Sequence, residues 1–217
     1  MIRSKILITA LFFLACLSVV GQRFSYLTPG DGLSQSSVKA ICQDYRGFMW
    51  FGTADGLNKY DGYSFRVYKN DPDDPHTISG NDVSCICENQ ADSSLWIGTQ
   101  DAGLNCYDRR LDRFLHSGKS DPSGVRYIRD LIALKTGMVL AALDGKGIYR
   151  AVKNDSLVFL EPVARQDNLR GDVNCFSETA EGDVWIGTTR GLYKWGREEI
   201  LNGGGPGIRN DRTPAQR

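Results

Sequence analysis

The sequence predicts an all-β fold: β-propeller blades of four antiparallel strands, about four of them, as a partial or small propeller. Three observations predict it. Apolar anchors stand at Val38, Val83, Ile128 and Val173, each 45 residues after the one before, and a second set follows at Ile41, Ile86, Leu131 and Phe176. A strand-like motif recurs behind them: Met49-Trp50-Phe51-Gly52-Thr53, Leu95-Trp96-Ile97-Gly98-Thr99 and Val184-Trp185-Ile186-Gly187-Thr188, with Val139–Leu143 as a degenerate copy. Each copy leads into a Gly-Leu or Gly-Ile pair, at Gly56-Leu57, Gly103-Leu104, Gly147-Ile148 and Gly191-Leu192. A period of 40–50 residues with several short strands per unit is the signature of propeller blades.

The motif reads as a strand covered on both faces. Phe48, Trp50 and Gly52 share one face, Met49, Phe51 and Thr53 the other, and both are largely apolar. Trp50, Trp96 and Trp185 are expected to fill the space between blades. Gly52, Gly98 and Gly187 are expected to admit the next backbone closely. The glycines before Leu57, Leu104 and Leu192 suit turns that need a positive φ.

In chain order, residues 1–21 read as a secretory signal. Arg3 and Lys5 precede an apolar run from Ile6 to Val20, and small residues place cleavage near Gly21/Gln22. Cys16 opens a lipoprotein reading, although Phe13-Leu14-Ala15-Cys16 fits a lipobox poorly. No later stretch is long and apolar enough to span a bilayer, so the product is expected in the periplasm or secreted. Phe24–Leu27 alternates and resembles a blade's outer strand. Two outcomes are open: a small ring closed by its pairing with Leu192–Trp195, or an open arc.

Blades are placed near 33–77, 78–122, 123–167 and 168–201. In the first, strands are expected over Val38–Gln43, Phe48–Thr53, Leu57–Tyr60 and Ser64–Tyr68. Later outer strands are expected at Arg113–Leu115 and Leu157–Leu160. The third blade takes Leu140 and Ala142 where others have Trp and Gly, and is expected to use smaller groups. Arg197–Leu201 is expected to form a poor fourth strand of the last blade, and 202–217, Gly-rich and polar, a disordered tail.

Without Arg3 and Lys5, 24 basic residues face 26 acidic ones, a net charge of about −2. Such a surface, with no basic stripe, argues against nucleic acid or an anionic membrane as partner. Five cysteines follow the signal: Cys42, Cys85, Cys87, Cys106 and Cys175. They stand at repeat positions otherwise filled by small or apolar groups, which reads as core; an exported chain also permits a disulfide. Asp71, Asp73 and Asp74 lack the spacing of a calcium loop. No metal or cofactor is expected.

The units resemble the two-component regulator propeller repeat, Val-x-x-Ile-x-x-Asp followed by Gly-x-x-Trp-x-Gly-Thr and Gly-Leu. The first unit matches it at Val38, Ile41, Asp44, Gly47, Trp50, Gly52, Thr53, Gly56 and Leu57. The resemblance covers residues 24–195. It implies the amino-terminal part of the periplasmic sensor of a hybrid two-component histidine kinase, of a kind that often senses glycans. Such sensors carry more repeats, an immunoglobulin-like domain, a membrane helix, a kinase core and a receiver. The chain holds four repeats, so the resemblance implies a truncated fragment.

In propellers, one ring face collects the loops leading into first strands and the turns between second and third strands. Here that face carries Ser34, Gln35, Asp55, Asn81, Asp82, Gln100, Asp101, Asp144, Lys146, Arg170, Asp172 and Arg190, which vary among the repeats. Their polar character fits an oligosaccharide ligand. A carbohydrate-active enzyme would need paired carboxylates. Asp55, Asp101, Asp144 and Glu88 are available, but Asp is common in turns. His76 and His116 have no Ser or Cys partner recognisable by spacing. The expected function is therefore non-catalytic ligand sensing, with a secreted propeller binding a protein partner as the alternative. If four blades do not close, the open blade faces are expected to self-associate.

Overall fold

The computed structural model describes residues 24–116, 124, 127–163 and 169–202. The expected signal segment and nearly all of the expected tail lie outside them.

Four antiparallel sheets follow one another along the chain. The first is β1 (Val38–Gln43), β2 (Met49–Thr53), β3 (Gly56–Tyr60) and β4 (Phe65–Tyr68). The second is β5 (Val83–Asn89), β6 (Ser94–Thr99), β7 (Leu104–Asp108) and β8 (Arg113–His116). The third is β9 (Ile128–Ala133), β10 (Val139–Leu143), β11 (Gly147–Lys153) and β12 (Val158–Pro162). The fourth holds three strands, β13 (Val173–Glu178), β14 (Val184–Thr188) and β15 (Gly191–Trp195). Each sheet pairs its strands in sequence order, and the first strands lie in a row, β1 beside β5, β5 beside β9, β9 beside β13. These are the meandering blades that the repeat predicts.

Register explains how the blades join. Trp50 and Gly52 on β2 pair with Lys59 and Leu57 on β3, and that face meets the second blade's Val83, Leu95 and Ile97. The same arrangement puts Trp96 and Leu104 against Ile128, Val139 and Ala141. Leu140, Ala142 and Ile148 meet Val173, Val184 and Ile186, so the third blade does use smaller groups. The motif glycines admit a side chain rather than a backbone. A Cβ on Gly52 would lie 2.5 Å from Val83 Cγ1, and one on Gly98 2.7 Å from Ile128 Cβ. Gly56, at φ +120°, makes the turn that its place demanded.

The fourth blade departs from expectation. Trp185 and Gly187 lie on the side away from the third blade, and within 4 Å of a Cβ on Gly187 stands only its own blade's Cys175. Trp185 therefore fills no space between blades. Arg197–Leu201 is a helix, α1, not a strand. Arg, Glu, Ile and Leu favour helix, and Glu198 and Glu199 sit in its first turn, where the dipole favours acid. Ile200 anchors α1 in the cluster between the third and fourth blades.

Phe24–Leu27 joins no sheet, and Phe24 and Tyr26 are 83% and 87% exposed. Of the two outcomes, closure through β15 does not occur among the described residues. The chain turns at Pro29–Asp31 instead and is fastened to the first blade, where Leu33 is buried and Ser34 is bonded to Asn58. Both end faces are open: Ile41 is 63% exposed on the first blade and Leu192 55% on the fourth. The blades form an arc.

The five cysteines among the described residues are free. Cys85 and Cys106 are buried in the cluster between the second and third blades, where burial pushes both thiols up to about 12. Cys42 is half-buried and Cys175 exposed on the fourth blade's open side.

Candidate functional site

The β1–β2, β5–β6, β9–β10 and β13–β14 pairs share one irregularity. Each first strand carries a bulge one residue past its anchor, leaving Lys39, Ser84, Arg129 and Asn174 outside the ladder. A bulge adds one residue to a strand and re-aims its side chain. Repeated at 45-residue intervals, it sets four non-equivalent polar side chains in a row at the starts of adjacent inner strands.

The loops around that row are tied together by backbone bonds. Gly56 N donates to Asn81 O at 2.7 Å, Gln100 N to Asp82 O at 2.8 Å, Asp144 N to Tyr127 O at 3.1 Å and Thr189 N to Asp172 O at 2.9 Å. Turns between second and third strands thus meet loops leading into first strands, as the topology predicts.

The bulged side chains reach into these loops. Lys39 Nζ donates to Asp82 Oδ1. Ser84 Oγ donates to the Ile128 carbonyl. Arg129 Nε donates to Asp144 Oδ1 at 2.7 Å and its Nη1 to Asn174 Oδ1 at 3.2 Å, while Asp172 Oδ2 stands 3.7 Å from Nη2. Arg129 also lies 5.4 Å from the centre of the Tyr127 ring, whose hydroxyl accepts from Gln100 Nε2 at 3.4 Å. Burial and the nearby Asp82 charge push the Asp101 carboxyl up.

Asp82, Gln100, Asp144 and Asp172, all expected from the sequence, are therefore brought to this cluster, with Asp101 beside it. Gly80 shows how close: a Cβ there would lie 2.3 Å from Asp101 Oδ1. Asp55 is paired with Lys69 at 2.7 Å, toward the first blade's outer edge. Lys146 and Arg190 are exposed in their turns.

Ser34, Gln35, Asn81 and Arg170 have framework work instead. Ser34 N donates to Asn58 Oδ1, and Asn58 Nδ2 donates back to Ser34 Oγ, both at 2.8 Å. Ser79 N repeats the first bond to Asn105 Oδ1 at 2.9 Å, and Arg170 N donates to Tyr193 Oη at 3.1 Å. Gln35 Oε1 accepts from Ser37 N, and Asn81 Oδ1 from Asn70 N.

Lys39, Arg129 and Asn174 were not singled out by sequence reading. The signal was present: a polar, repeat-variable residue directly after each apolar anchor.

Two further polar clusters lie between the first and second blades. Asp44, buried, accepts Trp50 Nε1 at 2.8 Å and Arg109 Nη1 at 2.6 Å, and Arg109 Nη2 donates to Glu88 Oε1. Burial pushes the Asp44 carboxyl up, but the bonds from Trp50 and Arg109 and the Arg109 charge outweigh it and hold it low. Glu88 thus braces the first and second blades, accepting from Arg109 on one oxygen and from Tyr45 N on the other. A cavity of about 390 Å³ at the outer edge is lined by Arg66, Tyr68, His76, Asp112 and Arg113. Its Asp112 accepts from the Tyr68 and Tyr107 hydroxyls. Among the described residues, no group of three His, Cys, Asp or Glu is placed to hold a metal ion.

Comparisons with known proteins agree with this architecture. Residues 32–55 match the family described as two component regulator propeller. A stretch of 56 residues, 26% of this chain and 4% of the relative, is 57% identical to histidine kinase P4 of Formosa agariphila. The fold is shared with the extracellular domain of a hybrid two component system from B. thetaiotaomicron, at TM-score 0.65 and 21% identity, over 82% of this chain and 26% of that one. It is shared also with PorZ of Porphyromonas gingivalis, at TM-score 0.56 and 16% identity over 82% of this chain and 28% of that one. A third is a catalytically inactive virginiamycin B lyase from Staphylococcus aureus, at TM-score 0.54 and 13% identity over 81% and 56%. The chain thus spans about a quarter of the solved extracellular domain and a small part of the kinase. Among the described residues, no helix is long and apolar enough to cross a membrane.

Proposed function

We propose that the chain is a ligand-sensing propeller segment of an extracytoplasmic two-component sensor, non-catalytic, with a glycan-type ligand on the loop face around Lys39 and Arg129. The observation that carries the ligand face is the bulge repeated in all four inner strands. It gathers Lys39, Ser84, Arg129 and Asn174 beside Asp82, Gln100, Asp144 and Asp172. Packing alone does not require four different polar groups at one structural position, and irregularities of this kind concentrate at functional sites. The sequence kinship with a histidine kinase and the fold shared with extracellular domains of hybrid two component systems support the sensor role.

The chemistry offered is hydrogen bonding rather than bond cleavage. A guanidinium, an ammonium, amides and carboxylates can serve both the donors and the acceptors of sugar hydroxyls. Asp144 and Asp172 are both engaged with Arg129. A general acid kept protonated beside a free carboxylate partner is not what this pairing prepares.

The test is calorimetric titration of the purified chain with a panel of neutral and acidic oligosaccharides. At least one should bind, and Arg129→Ala should weaken it about tenfold or more, the scale of losing a charge-assisted hydrogen bond. Binding that Arg129→Ala and Lys39→Ala both leave unchanged would move the ligand elsewhere. Turnover of any glycoside would remove the non-catalytic reading.

A further inference from the structure

The cavity of about 390 Å³ between the first and second blades is walled by three segments of the chain. β4 supplies Arg66 and Tyr68, β8 supplies Arg113 and Phe114, and the linker joining the two blades supplies His76 and Ile78. The linker is fastened in place. Phe114 N donates to His76 O at 2.8 Å, His116 Nε2 stands 3.0 Å from Pro75 O, and Asn70 Nδ2 donates to Ile78 O at 2.8 Å. Its aspartates turn back on the linker itself: Asp71 Oδ1 accepts Asp73 N, and Asp74 Oδ1 accepts His76 N. The cavity is therefore preformed. It sits at an internal joint, away from both ends of the row of blades, and has the size of small-molecule sites, about 300–1,000 Å³.

The floor is apolar. Tyr68, Ile78 and Phe114 are buried, and the rings of Tyr68 and Phe114 meet edge to face with centres 5.4 Å apart. Leu111, 46% exposed, stands at the rim.

Three cations line the cavity, and two of them are committed elsewhere. Arg66 is paired with Asp112, which also accepts from the Tyr68 and Tyr107 hydroxyls. Lys69 is paired with Asp55 at 2.7 Å. Arg113 is left short of acceptors. Asp108 Oδ2 is 3.7 Å from its Nε, and that buried nitrogen has no hydrogen-bond acceptor among the described residues. A guanidinium so placed beside an apolar floor is costly to keep, and a carboxylate matches its fork of donors.

We infer that this cavity is a second ligand site, for a small organic carboxylate with an apolar body. The charge is held by Arg113 and the body lies on Tyr68, Ile78 and Phe114. The site is separate from the loop face and stands whether or not that face binds a glycan.

The probe is benzoate, titrated into the isotope-labelled full chain and followed by two-dimensional NMR. The amide signals of Ile78, Arg113 and Phe114 should move to saturation at millimolar concentration, while those of Arg129 and Asp144 on the loop face stay in place. Glucuronate carries the same charge on a polar body, and benzyl alcohol a similar ring without the charge. Each should bind at least about tenfold more weakly, because each lacks one half of the match. Arg113→Gln should weaken benzoate at least about tenfold. Leu111→Glu, at an exposed position, sets a like charge at the rim and should weaken it by repulsion. Both variants are first checked for the spectral dispersion of the parent; if Arg113→Gln does not fold, Leu111→Glu decides. Amides of the cavity that do not move overturn the assignment. So does benzoate binding that a folded variant leaves unchanged, or equal binding of benzyl alcohol or glucuronate.

Discussion

At the residue scale, a buried aspartate and a half-buried one illustrate how a partner decides the sign of a charge's effect. Asp44 accepts bonds from Trp50 and Arg109, and its carboxyl is held below the usual range. A depressed carboxyl stabilises the fold above its unfolded pKa and loses that contribution as pH falls through the folded one. Asp44→Ala should cost about 1–3 kcal/mol at neutral pH, because it leaves Trp50 Nε1 and one Arg109 N–H without their acceptor, while Glu88 still pairs with Arg109. Urea melts should show the wild type losing part of its stability below about pH 4, and the variant lacking that part of the loss. Asp130 is the opposite case. Burial pushes its carboxyl up, and its oxygen accepts Phe176 N at 2.8 Å. A raised carboxyl is best tolerated protonated, so its ionised form weakens the fold at neutral pH. Asp130→Asn keeps an acceptor for Phe176 and removes the charge. It should raise the urea midpoint at pH 7, with the gain shrinking as pH falls through the raised value.

At the scale of elements, the strand faces explain why the same substitution has different costs in the second and fourth blades. Gly98→Ala would set a Cβ 2.5 Å from Cys85 Sγ and 2.7 Å from Ile128 Cβ, inside a closed interface. Overpacking of this kind costs about 1–3 kcal/mol. Gly187→Ala meets closely only the Sγ of Cys175, an exposed residue that can turn aside, with the Cys175 carbonyl at an ordinary 3.8 Å, and should cost less than about 1 kcal/mol. Denaturant midpoints of the two variants check the difference. The bulge is the element that sequence reading could not supply. The 45-residue spacing locates the anchors, but whether the residue after each one stays in the ladder depends on how β2, β6, β10 and β14 pair with the strand beside them.

At the scale of the whole molecule, the arc makes equivalent residues inequivalent. Leu104 and Leu192 hold one repeat position; the first is fully buried and the second 55% exposed. Leu104→Ala should destabilise by about 2–5 kcal/mol, and Leu192→Ala by less than about 0.5 kcal/mol. Urea midpoints of the two variants check the difference.

The sequence by itself determined the local unit: its period, the strands within the blades to one or two residues, the Trp–Gly face of the inner blades and the turn at Gly56. All of these follow from alternation and turn chemistry acting over a few residues. It also placed Asp82, Gln100, Asp144 and Asp172 on one face, because topology sends equivalent loops to the same side. Three matters were left to the tertiary structure. Trp185 and Leu192 carry the interface pattern, yet Leu192 is exposed and Trp185 only half-buried, because a repeat specifies a face but not what covers it. Phe24–Leu27 has the alternation of an outer strand but joins no sheet, because Leu33 and Ser34 fasten the segment to the first blade. Arg129 became the centre of the candidate site only once a bulge turned it out of its ladder toward Asp144 and Asp172. In each instance the deciding contact joins residues far apart in the chain, and no pattern of neighbours records it.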